Sequence, residues 1–432
     1  MIKGNKPGKI MLLLGDIAIL YGSLLITLAI RYGSLSSQSA WQDHSLPFFF
    51  VNLVWIIVFY VAGLYDVEKS VYPAKIFYII KTTAFGVAIA VLMFYFIPAF
   101  GITPKTNLFI DAIIASVFLW LWRIIYQKKI TKGSKIKIFF FDQSGETASF
   151  AEFISNSPQL GYKIIGNIDS ADLIIIPGKE KVSESSAKIL YEMVMRGKTV
   201  VDFYRFYEST AGKIPVSLIS EHWFLENVLE MDKRKFEQAK RLIDAILAVL
   251  FFIPLTILAP FVAIAIKINS SGPIFYRQKR VGKNGKIFEI IKFRSMVALN
   301  KDGSAETSGA KWSNKNDKRV TFIGNILRKT RIDELPQILN VLKGDLSFIG
   351  PRPERPEFIS DLSEKIPHYK MRHIIKPGLS GWAQINFPYG SSVDDSMQKL
   401  QYDLYYIKNR SLVLEVIIIL KTIMTVLRRE GR

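Results

Sequence analysis

The chain contains no cysteine and only four histidines among its 432 residues. The absence of cysteine excludes disulfides, thiol nucleophiles, iron–sulfur clusters and cysteine-ligated zinc. The histidines are His44, His222, His368 and His373, which do not have the spacing of a zinc motif. A hydrolytic zinc site is therefore not predicted.

Acidic residues are also scarce, with 37 Asp and Glu against 57 Lys and Arg, and the formal net charge is +20. This imbalance favours polyanionic partners such as nucleic acid, anionic lipid headgroups or phosphorylated substrates. Hydrophobic residues nevertheless make up 50% of the chain, and the mean hydropathy is +0.22. The combination indicates a membrane protein with a large cytosolic part, and it favours lipids and phosphorylated substrates over nucleic acid.

Four long apolar segments occupy the first part of the chain, at about 9–31, 47–65, 78–99 and 106–127. Each is close to the roughly 20 residues that a bilayer core requires, so we predict an N-terminal four-helix transmembrane bundle over residues 1–130. Lysines flank these segments at Lys3, Lys6, Lys9, Lys69, Lys75, Lys81, Lys128, Lys129, Lys132 and Lys135. By the positive-inside rule, both ends of the bundle are cytoplasmic.

Two carboxylates, Asp16 and Asp111, lie inside these apolar segments. A carboxylate is costly in the bilayer core and usually faces a partner. We predict hydrogen bonding between helices, with a proton or ion pathway as the alternative. Such a pathway would suit a transporter or flippase, which is the main rival function.

From about residue 135 the pattern changes to short strands that alternate with helices. Strands are predicted at 136–142, 163–168, 173–177 and 199–204, and a helix at 182–196. This order predicts a small Rossmann-like α/β domain over residues 131–227. The first turn, 142–145, lacks the G-x-G-x-x-G pattern that lets the backbone approach a pyrophosphate. A spacer or dimerisation role is therefore preferred to nucleotide binding, and a nucleotide-sensing scaffold is a second rival function.

The last predicted domain, 228–432, begins with a charged helical approach that leads into an apolar run at 242–268. The run is long enough to span a bilayer, but Pro254 and Pro260 interrupt it and indicate a bent helix. If this helix enters and leaves by the same face, the flanking domains are both cytosolic. A straight span would instead place the basic C-terminal residues outside.

Dense polar motifs follow the apolar run, at 276–282, 292–296, 328–337, 343–345 and 350–356. Each has an ordinary explanation alone, such as a solvated basic face or a rigid loop. Together they supply guanidinium groups for phosphate oxygens, and carboxylates for a nucleophile or a divalent ion, which phosphoryl transfer requires. Asp333 and Glu334 are expected at the start of a helix that continues through Leu342, where helix capping is their alternative role.

These motifs resemble those of the bacterial polyprenyl-phosphate glycosyl-1-phosphate transferases, the sugar transferases that initiate exopolysaccharide, capsule and O-antigen synthesis. The matching residues run in consistent order through almost half of the chain: 240–244 (KRLID), 272–273 (GP), 277–282 (RQKRVG), 292–296 (KFRSM), 333–337 (DELPQ), 350–353 (GPRP) and 377–384 (PGLSGWAQ). The N-terminal helices and the α/β domain are also similar to those of the large members.

The resemblance implies a re-entrant helix at about 242–268, which keeps an α-rich catalytic domain on the cytoplasmic face of the bacterial inner membrane. Many members have Ser-Pro at the helix break, whereas the prolines here follow Ile253 and Ala259. The expected position of the bend is therefore less defined than its existence.

The resemblance also implies the chemistry. Asp333 would attack the phosphorus that bears the sugar of a UDP-sugar, release UMP and form an aspartyl phosphosugar, which undecaprenyl phosphate then resolves. Glu334 would hold magnesium or orient the acceptor, and Arg328 and Arg352 would clamp phosphate oxygens. Further phosphate-binding candidates are Lys292, Arg294 and Arg280. The alternative for Lys292 and Arg294 is a basic face against anionic headgroups.

A final helix is predicted at 412–427, where Glu415 and Lys421 interrupt an apolar sequence that ends at Arg428 and Arg429. These charges favour an amphipathic helix at the membrane surface over a further span. Nearby aromatic residues could act as interfacial anchors or pack in the core: Trp382, Tyr402, Tyr405 and Tyr406. The expected partners are a UDP-sugar, undecaprenyl phosphate and membrane lipids, without nucleic acid. The sequence does not identify the sugar, and a homodimer is compatible with it.

Overall fold

The structure, a computed structural model, describes residues 6–33, 38–65, 76–96, 105–132, 135–142, 145–177, 182–231, 233–300, 305, 317, 319–387, 390 and 392–427. The chain forms two compact units, Met1–Thr210 and Ala211–Arg432. Residues 211–227 thus belong to the C-terminal unit, where the Trp382 indole donates a hydrogen bond to the Gly212 carbonyl oxygen at 2.8 Å. The three-domain scheme with boundaries at 130/131 and 227/228 stays a prediction.

The first unit opens with four long helices, α1 (Lys6–Tyr32), α2 (Gln38–Val61), α3 (Ile76–Phe96) and α4 (Lys105–Lys132). Stretches of each, 10–32, 40–61, 76–95 and 106–126, are long and apolar enough to cross a bilayer. All four predicted apolar segments are therefore helical. Helix α2 begins upstream of the predicted residue 47 and carries Pro47 in its interior. Of the flanking lysines, Lys3, Lys69 and Lys75 lie outside the described residues.

Helices α1 and α4 pack against each other, and buried polar side chains lie on both. The fully buried carboxylate of Asp16 accepts hydrogen bonds from both Nη atoms of Arg123 at 2.7 Å. The predicted hydrogen bonding between helices is confirmed for Asp16. Its partner, Arg123, is a basic residue inside the fourth apolar segment of the sequence. Asp111 on α4 is also buried, but neither of its carboxylate oxygens has a hydrogen-bond partner among the described residues.

The rest of the first unit alternates strands and helices: β1 (Ile136–Phe140), α5 (Glu146–Ser155), β2 (Tyr162–Ile164), β3 (Leu173–Ile176), α6 (Glu184–Met195), β4 (Thr199–Asp202) and α7 (Phe203–Ala211). The strands form one parallel sheet in the order β2-β1-β3-β4, which is that of open doubly wound sheets. Every residue of β3 is buried, as expected when helices cover both faces. The four predicted strands are confirmed but shorter, and Gln143 and Ser144 lie outside the described residues.

The second unit begins with α8 (Glu221–Met231) and α9 (Arg234–Asn269), and an antiparallel hairpin of β5 (Phe275–Val281) and β6 (Ile287–Phe293) follows. Next come α10 (Phe322–Thr330), a 3-10 segment that we call the acidic turn (Ile332–Gln337), and α11 (Ile338–Lys343). The remaining elements are β7 (Ser347–Ile349), α12 (Pro356–Lys365), β8 (Gly378–Ser380), α13 (Trp382–Asn386), α14 (Val393–Asn409) and α15 (Leu412–Leu427). This unit is a mixed α/β region in which β7 and β8 pair in parallel.

Helix α9 has two apolar faces with different surroundings. The buried face is a stripe that packs against hydrophobic side chains of β6, α10 and α11: Ala248, Leu255, Val262 and Ile266. The opposite face is exposed along the whole helix: Leu242, Ile246, Val249, Ile253, Ile257, Phe261, Ile264 and Ile268. The helix runs continuously through Pro254 and Pro260 and includes the charged approach before the apolar run. It is a fifth element that could cross a bilayer by length and composition, and the chain is a membrane protein.

The N-terminal end of α9 is attached to the core of the second unit. Arg241 donates hydrogen bonds to the carbonyl oxygens of Val341 and Leu342 at 2.6 and 2.7 Å. These oxygens belong to the last turn of α11, where a helix leaves carbonyl groups without internal partners. Asp244 accepts a hydrogen bond from the Phe348 backbone nitrogen at 3.3 Å. The KRLID motif therefore holds α9 against α11 and β7.

Helix α15 has the predicted bounds, and its position at the membrane surface stays a prediction, but Glu415 does not lie on an exposed polar face. This carboxylate is buried, forms an ion pair with Lys240 and accepts a hydrogen bond from the Tyr406 hydroxyl at 2.5 Å. A distant lysine therefore compensates the charge that had suggested a surface position. The exposed face of α15 is apolar: Leu412, Val413, Val416 and Ile423. Arg428 and Arg429 lie outside the described residues.

The aromatic residues near α15 that were predicted as anchors or core residues differ in burial. Tyr406 is buried beside Glu415, which favours core packing for this residue. Trp382, Tyr402 and Tyr405 are half-buried. The rings of Trp382 and Tyr405 stack with their centroids 5.7 Å apart, and Tyr402 lies beside Phe387 with ring centroids 6.4 Å apart. Anchoring by these three residues stays a prediction.

Candidate active site

The predicted acidic pair, Asp333 and Glu334, lies in the acidic turn between α10 and α11. The helix expected through Leu342 is thus a 3-10 helix for its first six residues and an α-helix only from Ile338. Arg331 precedes the turn with a φ of 59°, a left-handed conformation that is costly for a residue with a side chain. This reversal lets the acidic turn pack beside β6.

Glu334 is surrounded by three cationic side chains. Its Oε1 accepts hydrogen bonds from Lys292 Nζ at 2.7 Å and from Arg352 Nη2 at 3.3 Å, and its Oε2 lies 3.6 Å from Arg331 Nη1. Burial acts to raise the pKa of Glu334, but the three cations outweigh it and hold the pKa well below its ordinary value. Glu334 therefore stays ionised and held in place.

Asp333 has a different environment one residue away. It is buried, and its Oδ1 has no hydrogen-bond partner among the described residues. Burial raises the pKa of Asp333 to about 6, while Lys292 acts to lower it and the adjacent Glu334 to raise it. Neighbouring carboxylates whose pKa values are pushed apart commonly have different chemical roles. An unengaged carboxylate oxygen beside cations suits a nucleophile that attacks phosphorus.

Lys292 reaches the acidic turn from β6, and a side chain that sequence reasoning missed fixes the position of this strand. Asn340 of α11 is buried; its Nδ2 donates to the Glu289 carbonyl oxygen at 2.7 Å, and its Oδ1 accepts from the Ile291 nitrogen at 3.3 Å. Burial lowers the pKa of Lys292, and Glu334 opposes this shift. Asn340 thus joins the strand that carries Lys292 to the helix that follows Glu334.

The structure brings both predicted phosphate clamps to the acidic pair. Arg328, in the last turn of α10, donates from Nε to Ser295 Oγ at 2.9 Å. Burial lowers its pKa, and the nearby Asp333 carboxylate opposes the shift. Arg352 and the unpredicted Arg331 have side chains that are 39% and 40% exposed, so both guanidinium groups are accessible to a ligand. Arg331 stands two residues before Asp333, which was its only sequence signal.

Arg294 and Arg280, also predicted to bind phosphate, have mainly structural contacts. Arg294 is buried and donates to the carbonyl oxygens of Ser271 and Ser270 at 2.6 and 2.7 Å, which attaches the end of α9 to the end of β6. Arg280 donates to the Pro353 carbonyl oxygen at 2.9 Å. These contacts favour structural roles, and phosphate binding by either residue stays a prediction.

Close backbone packing holds the loop that carries Arg352. A Cβ atom at Gly350 would lie 2.5 Å from the Lys376 carbonyl oxygen, and one at Gly378 would lie 2.1 Å from the Gly350 nitrogen. Because only glycine permits such an approach of β7 to β8, the glycines of the GPRP and PGLSG motifs have a structural role. They place the start of the loop beside β8.

The described residues contain no group of three or more His, Cys, Asp or Glu side chains that could hold a metal ion. Magnesium is nevertheless commonly bound through one or two carboxylates, with substrate phosphates and water completing its shell. Glu334 is engaged by cations, whereas Asp333 Oδ1 is unengaged. The pair therefore offers few free carboxylate oxygens, so substrate phosphates would have to supply most of the ligands of a magnesium ion, and an ion at Glu334 stays a prediction.

Comparisons with known proteins cover the part of the chain that contains the acidic turn. A family model described as "Bacterial sugar transferase" matches residues 235–429, which include the acidic turn and all of its cationic neighbours. A protein of Aeromonas hydrophila, named UDP-N-acetylgalactosamine-undecaprenyl-phosphate N-acetylgalactosaminephosphotransferase, is 47% identical over 225 residues, which are 52% of this chain and 51% of that protein.

Two further relatives bracket the extent of the similarity. The UDP-glucose:undecaprenyl-phosphate glucose-1-phosphate transferase of Xanthomonas campestris pv. campestris is 41% identical over 197 residues, 45% of this chain and 40% of that protein. The chain thus matches about half or less of the length of the Aeromonas and Xanthomonas proteins. The exopolysaccharide production protein PSS of Rhizobium leguminosarum bv. phaseoli is 40% identical over 183 residues, 40% of this chain but 90% of that protein. Together with the family model, this match shows that the chain belongs to the bacterial sugar transferase family.

Proposed function

We propose that the protein transfers a sugar-1-phosphate from a UDP-sugar to undecaprenyl phosphate and releases UMP, as the first membrane step of exopolysaccharide, capsule or O-antigen synthesis. The observation that carries this proposal is the buried Asp333, with an unengaged oxygen, beside a Glu334 held by three cations. The names of the relatives support the same reaction class.

The reaction would proceed in two displacements at one phosphorus atom. An Asp333 oxygen attacks the phosphorus that bears the sugar, a new P–O bond forms, and the bond to the UMP oxygen breaks. An oxygen of undecaprenyl phosphate then attacks the same phosphorus, and the aspartyl P–O bond breaks. The products are UMP, undecaprenyl-diphosphate-sugar and a regenerated carboxylate, so each step replaces one P–O bond by another.

The cations around Glu334 would take up the charge of the diphosphate. Arg352 and Arg331 are the partly exposed members, and their forked N–H groups match phosphate oxygens. Lys292 is more buried and bonds directly to Glu334. Glu334 therefore serves as an ionised support that keeps these cations in position, while Asp333 performs the attack.

Magnesium, when bound, would neutralise diphosphate charge and stabilise the departing UMP. Because the unengaged oxygen of Asp333 is assigned to the attack, Glu334 is the protein ligand we propose for the ion, and substrate phosphates would supply most of its other ligands. Removal of divalent ions with EDTA should abolish UMP release, and added magnesium should restore it. Full release in EDTA would overturn the metal requirement.

We also propose that α9 is re-entrant and that the first four helices form a transmembrane bundle in the inner membrane. The stripe from Ala248 to Ile266 packs on one protein core, and Arg241 and Arg294 attach both helix ends to it. A helix that crossed the bilayer would carry one end away from that core. The exposed face of α9 would lie in lipid, and the acidic turn at headgroup depth on the cytoplasmic face.

The absence of native cysteine allows a direct test of this topology. Cysteines introduced at the exposed Lys235 and Lys267 should both react with an impermeant maleimide from the cytoplasmic side in inverted vesicles. Labelling of the two positions from opposite sides would establish a transmembrane α9 instead.

The named relatives differ in their donors, and we propose UDP-N-acetylgalactosamine as the first donor to test. The Aeromonas protein is named for that sugar and is 47% identical, whereas the 41% identical Xanthomonas protein is named for glucose. UDP-glucose is therefore the second donor of the panel. Self-association stays a prediction that cross-linking in membranes would check.

The decisive experiment is UMP release by the full-length protein in nanodiscs with undecaprenyl phosphate, magnesium and the donor panel. Asp333→Asn should lower release by about a thousandfold or more, because it removes the nucleophile. Asp361→Asn is the control, since that exposed carboxylate pairs with the surface Lys365 at 2.6 Å. No release by the wild type with any donor would overturn the proposed function. Release unaffected by Asp333→Asn would overturn only the nucleophile.

A further inference from the structure

The loop at 350–354, which carries Arg352, is bonded at four consecutive carbonyl oxygens. The carbonyl oxygens of Pro351 and Glu354 accept hydrogen bonds from the backbone nitrogens of Gly378 and Val281, at 2.9 and 3.0 Å. The carbonyl oxygen of Arg352 accepts one from Arg372 Nη2 at 3.0 Å, and that of Pro353 accepts one from Arg280 Nη1 at 2.9 Å. Prolines on both sides of Arg352 restrict the backbone further. The backbone of this loop therefore has little freedom, and the direction of the Arg352 side chain depends on these four bonds.

Arg372 is the donor that acts on Arg352 itself. Its side chain is 3% exposed, Nη1 donates to the Tyr369 hydroxyl at 2.6 Å, and Nη2 forms an ion pair with Asp403 Oδ2 at 2.9 Å. Glu354 Oε1 lies 3.8 Å from Nη1. Two buried carboxylates, one on the loop and one on α14, thus compensate the guanidinium charge.

These contacts give Arg372 a different role from the arginines at the acidic turn. A guanidinium that is 3% exposed is not accessible to a diphosphate, whereas Arg352 is 39% exposed. Its planar fork can satisfy a carbonyl oxygen, a hydroxyl and a carboxylate together, which the single ammonium of lysine cannot. Loss of the fork would remove one of the four bonds that hold the loop, and the loop would be freer to move.

We propose that Arg372, held by Asp403, is a positioning residue that aims the Arg352 side chain at Glu334 and the substrate diphosphate. The inference rests on the proposed transferase function. Arg372 lies twenty residues beyond Arg352 in the chain, outside the motifs that suggested phosphate chemistry. Because the proposed effect of Arg372 on the reaction passes through Arg352, substitutions at the two positions should not be independent.

A double-mutant cycle on UMP release tests this coupling. In the wild-type background, Arg372→Lys should lower kcat/KM for the UDP-sugar by about tenfold or more. In the Arg352→Ala background, the same change should lower it by less than about threefold, because the side chain that Arg372 aims is absent. Thermal unfolding of all four proteins shows whether they are folded under the assay conditions.

Arg410→Lys is the matched control, since Arg410 is a buried arginine of the same unit that pairs with Glu237. It should lower thermal stability as Arg372→Lys does, with equal effects on kcat/KM in both Arg352 backgrounds. Asp403→Asn is the second variant if Arg372→Lys does not fold, and it should show the same coupling to Arg352. The positioning role would be overturned if Arg372→Lys and Asp403→Asn each lowered kcat/KM by the same factor in the wild-type and Arg352→Ala backgrounds. An inactive wild type would instead overturn the proposed function.

Discussion

Asp16 of the first unit and Glu334 of the second have different charge environments. In the N-terminal helices, Asp16 meets one guanidinium, and both Arg123 Nη atoms lie 2.7 Å from its oxygens. In the second unit, Glu334 meets three cations at 2.7, 3.3 and 3.6 Å. A one-to-one pair is electrically complete and joins two helices. A site with more cations than carboxylates is complete only with an added anion, so the surplus positive charge distinguishes a binding site from a structural ion pair.

The largest expected effect is on the structural pair. Arg123→Met should destabilise the protein by roughly 3–5 kcal/mol, because it leaves the Asp16 carboxylate buried without a partner. Thermal unfolding in nanodiscs measures this loss. The double variant Asp16→Leu with Arg123→Met is the control and should recover most of the stability, since both charges are gone. A fully stable single variant would show that Asp16 needs no partner.

A smaller effect, on activity rather than stability, is expected at Glu334, where the cations outnumber the carboxylate. Glu334→Gln should lower kcat/KM for UMP release by about a hundredfold, because Lys292 and Arg352 lose the charge that orients them. The exposed Glu289→Gln is the control, since its carboxylate lies 4.0 Å from Arg277 on the hairpin surface. Unchanged activity in Glu334→Gln would reduce Glu334 to a helix-capping role.

Removal of one surplus cation should have a still smaller effect. Arg331→Ala should raise the KM for the UDP-sugar by about tenfold with little change in kcat, because Arg352 and Lys292 remain. Steady-state kinetics of UMP release measure the split. Arg277→Ala removes an arginine that is 64% exposed, and it should leave KM unchanged. An equal effect of the two substitutions would show that general positive charge, rather than position, attracts the donor.

The pH dependence separates the two neighbouring carboxylates. Burial raises the pKa of Asp333 to about 6, so its reactive ionised form is lost as the pH falls through this value, and UMP release should fall about tenfold per pH unit below it. Glu334, whose pKa is lowered, stays ionised over the same range. Because the pKa of Asp333 is raised by folding, the free energy of unfolding should increase as the pH falls from about 6 toward 3.8. A flat rate profile down to pH 5 would contradict the assignment.

The sequence alone predicted secondary structure correctly where the length and spacing of apolar residues determine it. The apolar run at 173–176 predicted a buried strand, and the long apolar segments predicted helices. The acidic pair stood out only through the resemblance of its motif to a known family, since the pair alone left helix capping as its alternative. Each of these inferences uses residues that are neighbours in the chain.

Side-chain partners across long sequence separations could not be predicted in the same way. Glu415 looked like a surface charge until Lys240, far earlier in the chain, proved to be its ion-pair partner. Arg294 and Arg280 were phosphate-binding candidates because they are arginines in basic motifs, and nothing local indicated that they also donate hydrogen bonds to distant carbonyl oxygens. Asn340 carries no charge and no motif of its own, so nothing local indicated that it joins β6 to α11.

Helix α9 has one stripe that packs against the protein interior and an exposed apolar stripe that is suited to contact with hydrocarbon. Its exposed side chains need only be apolar, so their identity can vary with little consequence. The number of residues in the helix, in contrast, cannot vary without consequence. Insertion of one residue near the middle would rotate everything beyond it by roughly 100° and turn the buried stripe toward lipid. The end held by Arg294 leads directly into the hairpin that carries Lys292, so the register of α9 sets the position of a cation at the acidic turn.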